Sequence, residues 1–96
     1  MFIVLIHYIK PLAEVDIHRD AHREYIDKQI QAGTILMAGR QIPPVGGAFV
    51  ARAASREFLE TMVLEDPYHK AGVATFEMIE FDAGKLHPSC QHLASS

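Results

Sequence analysis

Phe2-Ile-Val-Leu-Ile6, near the start of the chain, is a continuous apolar run from which the rest of the fold can be worked out. Every residue in it is apolar and several are β-branched, which is typical of a strand, and we expect the strand to continue through Tyr8. A strand with one wet face alternates apolar and polar residues, and this stretch does not alternate. Both of its faces are therefore predicted to be buried.

The rest of the chain predicts two helices and three further strands. A helical stripe runs from about Val15 to Ala32, and Gly33 is suited to end it. A second helix is predicted after Ser55, its N-cap, with Phe58, Leu59, Met62 and Val63 on its buried face. The further strands are expected over residues 34–41, 48–53 and 73–81. This order predicts an α+β, ferredoxin-like βαββαβ fold with a four-stranded antiparallel sheet.

The last predicted strand indicates how the second face of the sheet is covered. It carries Phe76, Met78, Ile79 and Phe81, so apolar residues occupy both even and odd positions and point to both faces of the sheet. Two helices cover only one face of a four-stranded sheet, so the other face needs a partner. We expect a homodimer in which two sheets pack face to face.

Composition places the chain among ordinary single-domain proteins. Its 96 residues are 49% hydrophobic and 22% charged, and we predict a domain over residues 1–82 with a C-terminal tail over 83–96 that packs on the partner or over a pocket. The net charge of −3 argues against a nucleic-acid partner. Apolar stretches are too short for a membrane span, no signal peptide is evident, and the single Cys90 fits a reducing cytoplasm.

Asp66-Pro67-Tyr68 marks the expected site. Asp66 follows the amphipathic run 58–65, so it is predicted at a helix C-terminus, where the dipole disfavours an anion. Such a carboxylate needs a partner. His22 is the candidate, because it shares a helical stripe with Ile26 and Ile30 and so faces inward.

A His22–Asp66 contact has two interpretations. A carboxylate that hydrogen-bonds an imidazole fixes its tautomer and raises its basicity, as in general-base catalysis. The structural alternative is a buried hydrogen bond that only ties two helices together.

Two metal sites are weaker alternatives to this dyad. His18 lies one helical turn before His22, and Asp66 would complete a set of two histidines and one carboxylate. The tail offers His87, Cys90 and His92. The tail shows no periodicity and no second ligand cluster, which argues against its own site. Both metal sites are kept as the weaker alternatives, and no cofactor is expected.

Four further residues are candidates for a substrate pocket. His7 and Tyr8 end the first strand, Arg40 ends the second and suits a carboxylate or phenolate, and Tyr68 follows the Asp-Pro corner. For each of them alone, ordinary rim packing is the alternative. The chain has no phosphate loop, dinucleotide fingerprint or nucleophile elbow.

These pieces together resemble the YciI-like family, also called YCII-related proteins. The matching pieces are His22, Gln31-Ala-Gly33 with the strand 34–39, and residues 65–73, which hold Asp-Pro-Tyr and Ala-Gly. The resemblance extends from Phe2 to about Phe81. It implies a ferredoxin-like domain that dimerises as an α+β barrel, with His22 and Asp66 as an active-site dyad.

The resemblance also implies classes of reaction. One branch of the family resembles dehydrochlorinases that eliminate HCl from chlorinated hydroxyquinols, and the related barrels include muconolactone isomerases and small monooxygenases. Many members have proline where this chain has Arg40, which would bias the pocket toward an anion.

We therefore interpret the chain as a cofactor-independent enzyme of lyase or isomerase type that acts on a small cyclic or aromatic anion. A non-catalytic module that binds a metabolite, or regulates through it, is the alternative.

Overall fold

Strand β1 (Phe2–Tyr8) lies at the centre of the sheet in the computed structural model, which describes residues 1–93. It pairs antiparallel with β3 (Gly46–Ala51) on one side and with β4 (Ala74–Glu80) on the other. Strand β2 (Ile35–Arg40) pairs antiparallel with β3, so the order is β2-β3-β1-β4. This is the ferredoxin-like topology, and the predicted fold class is confirmed.

The first helical region is two helices rather than the single one predicted over residues 15–32. Helix α1 (Leu12–Ile17) ends and α2 (Arg19–Gln31) begins at His18, whose φ of −104° and ψ of 5° interrupt the helix. Neither glycine nor proline stands at this position. The sequence therefore carries no glycine or proline signal of the break, and hydrophobic periodicity does not report it.

The second helical region begins as predicted. Helix α3 (Arg56–Leu64) is capped by Ser55, whose Oγ accepts a hydrogen bond of 3.1 Å from the Phe58 N–H. The prediction that Phe58 is buried is wrong, because its side chain is 53% exposed. It lies at the edge of the stripe formed by Leu59, Met62 and Val63, which are buried.

The helical segments of the described chain are short. Helix α4 (Pro67–Lys70) follows α3, and a 3-10 helix (Pro88–Leu93) lies in the tail. The longest helix, α2, has 13 residues. Within residues 1–93, no helix combines the length and the apolar character needed to cross a membrane.

One face of the sheet packs against the helices and forms the core. Alternate residues of β1, Phe2, Val4 and Ile6, point into it and are almost fully buried. The helices contribute Val15, Ile26, Leu59 and Met62. Burying these side chains supplies the main driving force for folding.

The opposite face, which we call the open sheet face, is formed by Ile3, Met37, Val50 and Ile79. Ile3 pairs with Val50 on β3 and with Ile79 on β4, so these three side chains are neighbours. In the single chain Met37 is 64% exposed, and Ile3 and Ile79 are also exposed. The missing alternation of β1 thus follows from an apolar surface on each side of the sheet.

The β2–β3 hairpin is tied tightly to β1. The side-chain amide of Gln41 donates to the carbonyl oxygens of Ile6, at 3.2 Å, and of Gly47, at 3.0 Å. At Gly46 the backbone runs so close to β1 that a Cβ would lie 1.7 Å from the Ile6 carbonyl oxygen. Only glycine fits this position without a shift of the backbone.

Gly46→Ala is therefore expected to lower the free energy of unfolding by roughly 1–3 kcal/mol, the usual cost of overpacking. Gly39→Ala in the same hairpin is the matched control, because a Cβ there meets nothing within 4 Å. It should change stability by less than about 1 kcal/mol. Urea unfolding of both variants measures the difference, and equal effects would contradict the close approach.

Candidate functional site

Asp66 begins a helix rather than ending one. Its backbone is extended, with φ −65° and ψ 132°, and it is the N-cap of α4, with Pro67 as the first helical residue. Its Oδ1 accepts a hydrogen bond of 2.8 Å from the Tyr68 N–H. The predicted misplacement at a helix C-terminus is therefore wrong, because an N-cap carboxylate is favourable. The cause is the second, four-residue helix, which the sequence pattern did not reveal.

His22 and Asp66 are hydrogen-bonded across the two helical regions. The distance from His22 Nδ1 to Asp66 Oδ1 is 2.8 Å, and the side chains are 13% and 2% exposed. Since the same Oδ1 also accepts from Tyr68 N–H, the carboxylate acts as the acceptor and Nδ1 donates. In the neutral ring, Nε2 then carries the free lone pair.

Tyr25 holds the two helical regions in the position that this contact needs. Its hydroxyl, on α2, donates a hydrogen bond of 2.6 Å to the Met62 carbonyl oxygen on α3. Burial, followed by the negative charges of Asp66 and Glu65, raises the pKa of Tyr25. The phenol therefore stays protonated and remains a donor.

Tyr68 fixes the plane of the His22 ring. The two rings are stacked, with centroids 3.9 Å apart and an interplanar angle of 8°, and Tyr8 meets Tyr68 edge-on at 5.9 Å. Burial, and then the neighbouring Tyr8, raises the pKa of Tyr68 to about 12, and Arg19 opposes the rise. Tyr68 is thus a neutral phenol near pH 7.

A cavity of about 260 Å³ lies beside this pair of rings. One wall is α2, and the other is formed by the β2–β3 hairpin and the end of β1. Small residues on the helix-facing side of the hairpin, Ala38 and Gly47 among them, leave the space that larger side chains fill elsewhere in the core. The volume is just below the range of roughly 300–1,000 Å³ typical of pockets for drug-sized ligands, so a single substituted ring is the appropriate size.

Four of the predicted site residues line this cavity, namely Tyr8, His22, Arg40 and Tyr68. Asp66 lies behind His22 and is not part of the wall. Whether these residues bind or catalyse is a separate question from their position, and their roles stay predictions.

His7 does not line this cavity, and its role in binding stays a prediction. Successive residues of a strand point to opposite faces, and Tyr8 takes the helix-facing side. His7 points to the other side, where its Nε2 lies 3.2 Å from Glu77 Oε1. The tail, within residues 83–93, also contributes no lining residue.

The metal alternatives find no support in the described chain. Among residues 1–93, no three His, Cys, Asp or Glu side chains are grouped closely enough to hold an ion. His18 forms the break between α1 and α2, while His22 is turned to Asp66. The tail histidine His87 instead bonds Ser89.

Sequence reasoning missed three charged residues of the cavity wall, Arg19, Arg23 and Asp27. Their signal was present in the spacing. At about 100° per residue, these three positions lie on one side of His22, around the direction of Ile30. Widening the stripe of Ile26 and Ile30 on the side away from His22 would have found them.

Comparison with known proteins identifies the family of this chain and supports its fold. A family model described as the YCII-related domain matches residues 1–82. A solved structure of 5-chloro-2-hydroxyhydroquinone dehydrochlorinase (TftG) from Burkholderia phenoliruptrix AC1100, in complex with 2,5-dihydroxybenzoquinone, is similar with a TM-score of 0.69 and 18% identity. The match covers 88% of this chain and 96% of that one. No curated protein matches the chain in sequence.

The hydrogen bond predicts which nitrogen of His22 is protonated. Nitrogen NMR of the neutral ring should find the proton on Nδ1 and none on Nε2. Asp66→Ser keeps a side chain able to cap α4 but is too short to reach His22, so it should give a mixture of both tautomers. Asp66→Asn, which keeps the length, is the comparison variant. A proton on Nε2 in the unaltered protein would contradict the assignment.

Proposed function

The chain belongs to the YCII-related domain family, and on that premise we propose that it is a small acid–base enzyme of lyase or isomerase type. His22 acts as the general base or acid, and Asp66 orients and polarises it. The substrate is a small cyclic or aromatic anion. Neither a metal nor an organic cofactor takes part in the proposed step.

One observation carries this proposal. The buried Asp66 carboxylate accepts a hydrogen bond from Nδ1 of His22. Nε2 is then the ring nitrogen left available on the side of the cavity. A histidine held in this way has a fixed tautomer, a fixed ring plane and a free lone pair. General acid–base catalysis by such a group contributes about 10²–10⁴-fold to a rate.

The proposed step is a proton transfer with balanced products. In a chlorinated ring, Nε2 removes a hydroxyl proton, and the released electron pair moves into the ring so that the chlorine-bearing carbon takes up a proton. Loss of a second hydroxyl proton then expels chloride from that carbon, so the net change is the loss of HCl. In a lactone, Nε2 removes a proton from one carbon and returns it to another, and the net change is a shifted double bond. Neither outcome needs an oxidant or a reductant.

Tyr8, Tyr68 and Arg40 are proposed to bind the substrate. Tyr68 is a neutral phenol whose ring covers one face of His22, and Tyr8 lies against its edge. Arg40 ends β2 on the opposite wall and offers a guanidinium to an anionic group.

A non-catalytic module that binds a metabolite remains the second reading. Stability does not separate it from an enzyme, because Asp66 both caps α4 and satisfies His22. Its removal leaves two buried N–H donors unpaired, at a cost of about 1–3 kcal/mol each, whether or not the dyad is catalytic. Turnover is the measurement that separates the two readings.

We also propose that two chains pair through the open sheet face. Its apolar side chains, Ile3, Met37, Val50 and Ile79, are exposed or half-buried in the single chain. An apolar sheet face of this kind is stabilised when a second sheet covers it.

Two further proposals concern the C-terminal part of the chain. The tail is proposed to pack on the partner or over its pocket. The lone Cys90 fits a reducing cytoplasm.

The activity prediction uses two substrates, 5-chloro-2-hydroxyhydroquinone for elimination and muconolactone for isomerisation. The protein is expected to release chloride from the first or to isomerise the second. His22→Gln should lower that rate by about 10²–10⁴-fold, because it removes the base. Chloride release and ultraviolet absorbance measure the two reactions.

His18→Gln is the matched control, since His18 lies on the same helical region outside the cavity wall. It should leave the rate unchanged. Equal rates in the two variants would remove His22 from the mechanism. Binding of 2,5-dihydroxybenzoquinone without turnover of either substrate would favour the binding module.

The dimer prediction is tested by mass in solution. The 10.7 kDa chain should sediment at about twice that mass. Ile3→Lys places a charge at the centre of the open sheet face and should yield monomers, because an unpaired buried charge is costly. Ile17→Lys, at an exposed apolar residue of α1, should stay dimeric. A monomer of the unaltered protein at all concentrations would exclude this assembly.

A further inference from the structure

Positive charge is concentrated at the cavity. Three of the five arginines, Arg19, Arg23 and Arg40, line it in the described part of the chain, and none of the lysines does. Asp27 supplies the one carboxylate of the described lining. The protein as a whole carries a net charge of −3, so this excess of cations is local.

The arginines stand on two walls. Arg19 and Arg23 lie one helical turn apart on α2, and Arg40 ends β2 on the opposite side of the cavity. Arg19 is held by an ion pair with Asp16. Within residues 1–93, Arg23 and Arg40 form no ion pair. Asp27 lies one helical turn after Arg23 on the α2 wall but does not pair with it. Each wall therefore presents a guanidinium that is outside any ion pair of the described chain.

Between the walls the lining is apolar or small. Ile6, Ile26 and Phe49 contribute hydrocarbon, and Ala38 and Gly47 leave room above the sheet. Such a lining suits the flat body of a ring, while the arginines suit planar acidic groups, which a guanidinium binds with two parallel hydrogen bonds.

We propose that the ligand of this cavity is a planar ring with two acidic groups at opposite ends, one bound by the α2 wall through Arg23 and the other by Arg40. Arg23 and Arg40 are then specificity-determining residues. The inference rests on the proposed function only in taking the cavity beside His22 as the ligand site. Relative to the proposed substrate class, the ligand gains a second negative charge, placed at the opposite end of the ring from the first.

Three simple probes test the spacing, namely benzoate, benzene-1,2-dicarboxylate and benzene-1,4-dicarboxylate. Titration calorimetry of the full chain should find that the 1,4-isomer binds about tenfold or more tightly than benzoate, since a second charge-assisted contact is worth at least one factor of ten. The 1,2-isomer, whose two groups leave the ring on the same side, should bind no more than a few times better than benzoate.

Variants assign the preference to the two walls. Arg40→Gln and Arg23→Gln should each remove the advantage of the 1,4-isomer and leave benzoate binding within about threefold. Arg56→Gln is the control, because Arg56 pairs with Glu60 on the outer side of α3. It should leave all three affinities unchanged.

Failure of this inference is distinct from failure of the proposed function. It is overturned if the 1,4-isomer binds no better than benzoate, if no probe binds, or if Arg40→Gln weakens all probes equally. His22→Gln should keep the preference for the 1,4-isomer, because His22 contributes no guanidinium. A retained preference together with no catalytic turnover would support the two-ended site while refuting the acid–base function.

Discussion

The carboxylate of Asp66 joins two parts of the chain that lie 44 residues apart. It is almost completely buried, and a single oxygen accepts hydrogen bonds from the Tyr68 N–H and from His22 Nδ1. The first bond starts α4 and so positions the Tyr68 ring. The second fixes the His22 ring, and the two rings then stack. The orientation of the His22 and Tyr68 rings therefore depends on one acceptor.

The cavity beside these rings exists because the part of the sheet beneath α2 carries small residues. Large residues such as Phe2 and Ile35 fill the space under the other helices, whereas the β2–β3 hairpin offers Ala38 and Gly47 beneath α2. Arginines on both walls make this space positive in a protein of negative net charge. An apolar lining of low polarisability strengthens the attraction between these charges and an anion. Shape and charge together favour a small anionic ring.

Periodicity was enough to predict the fold class. Apolar spacing located the strands and put His22 on the inner face of its helix, where it meets Asp66. Asp66 itself was singled out for a place at a helix C-terminus, which the structure does not give it. The spacing missed the break at His18, which neither glycine nor proline marks, and the short helix after Pro67, because a four-residue helix leaves no periodic signal. His7 lies on the face of the sheet away from the cavity, since neighbouring residues of a strand point to opposite faces. The cavity wall of Arg19 and Arg23 was readable from their spacing to His22, but the gap that makes it a wall depends on the hairpin.

The most direct test of the central claim is a titration of the protein with 2,5-dihydroxybenzoquinone, followed by nitrogen NMR of His22. The Nε2 resonance is expected to shift as the ligand binds, while Nδ1 keeps its proton and its hydrogen bond to Asp66. Binding that shifts the backbone amides of Ala38 and Phe49 but leaves Nε2 unchanged would contradict this claim. In that case the ligand occupies the cavity without meeting the nitrogen that the dyad leaves free.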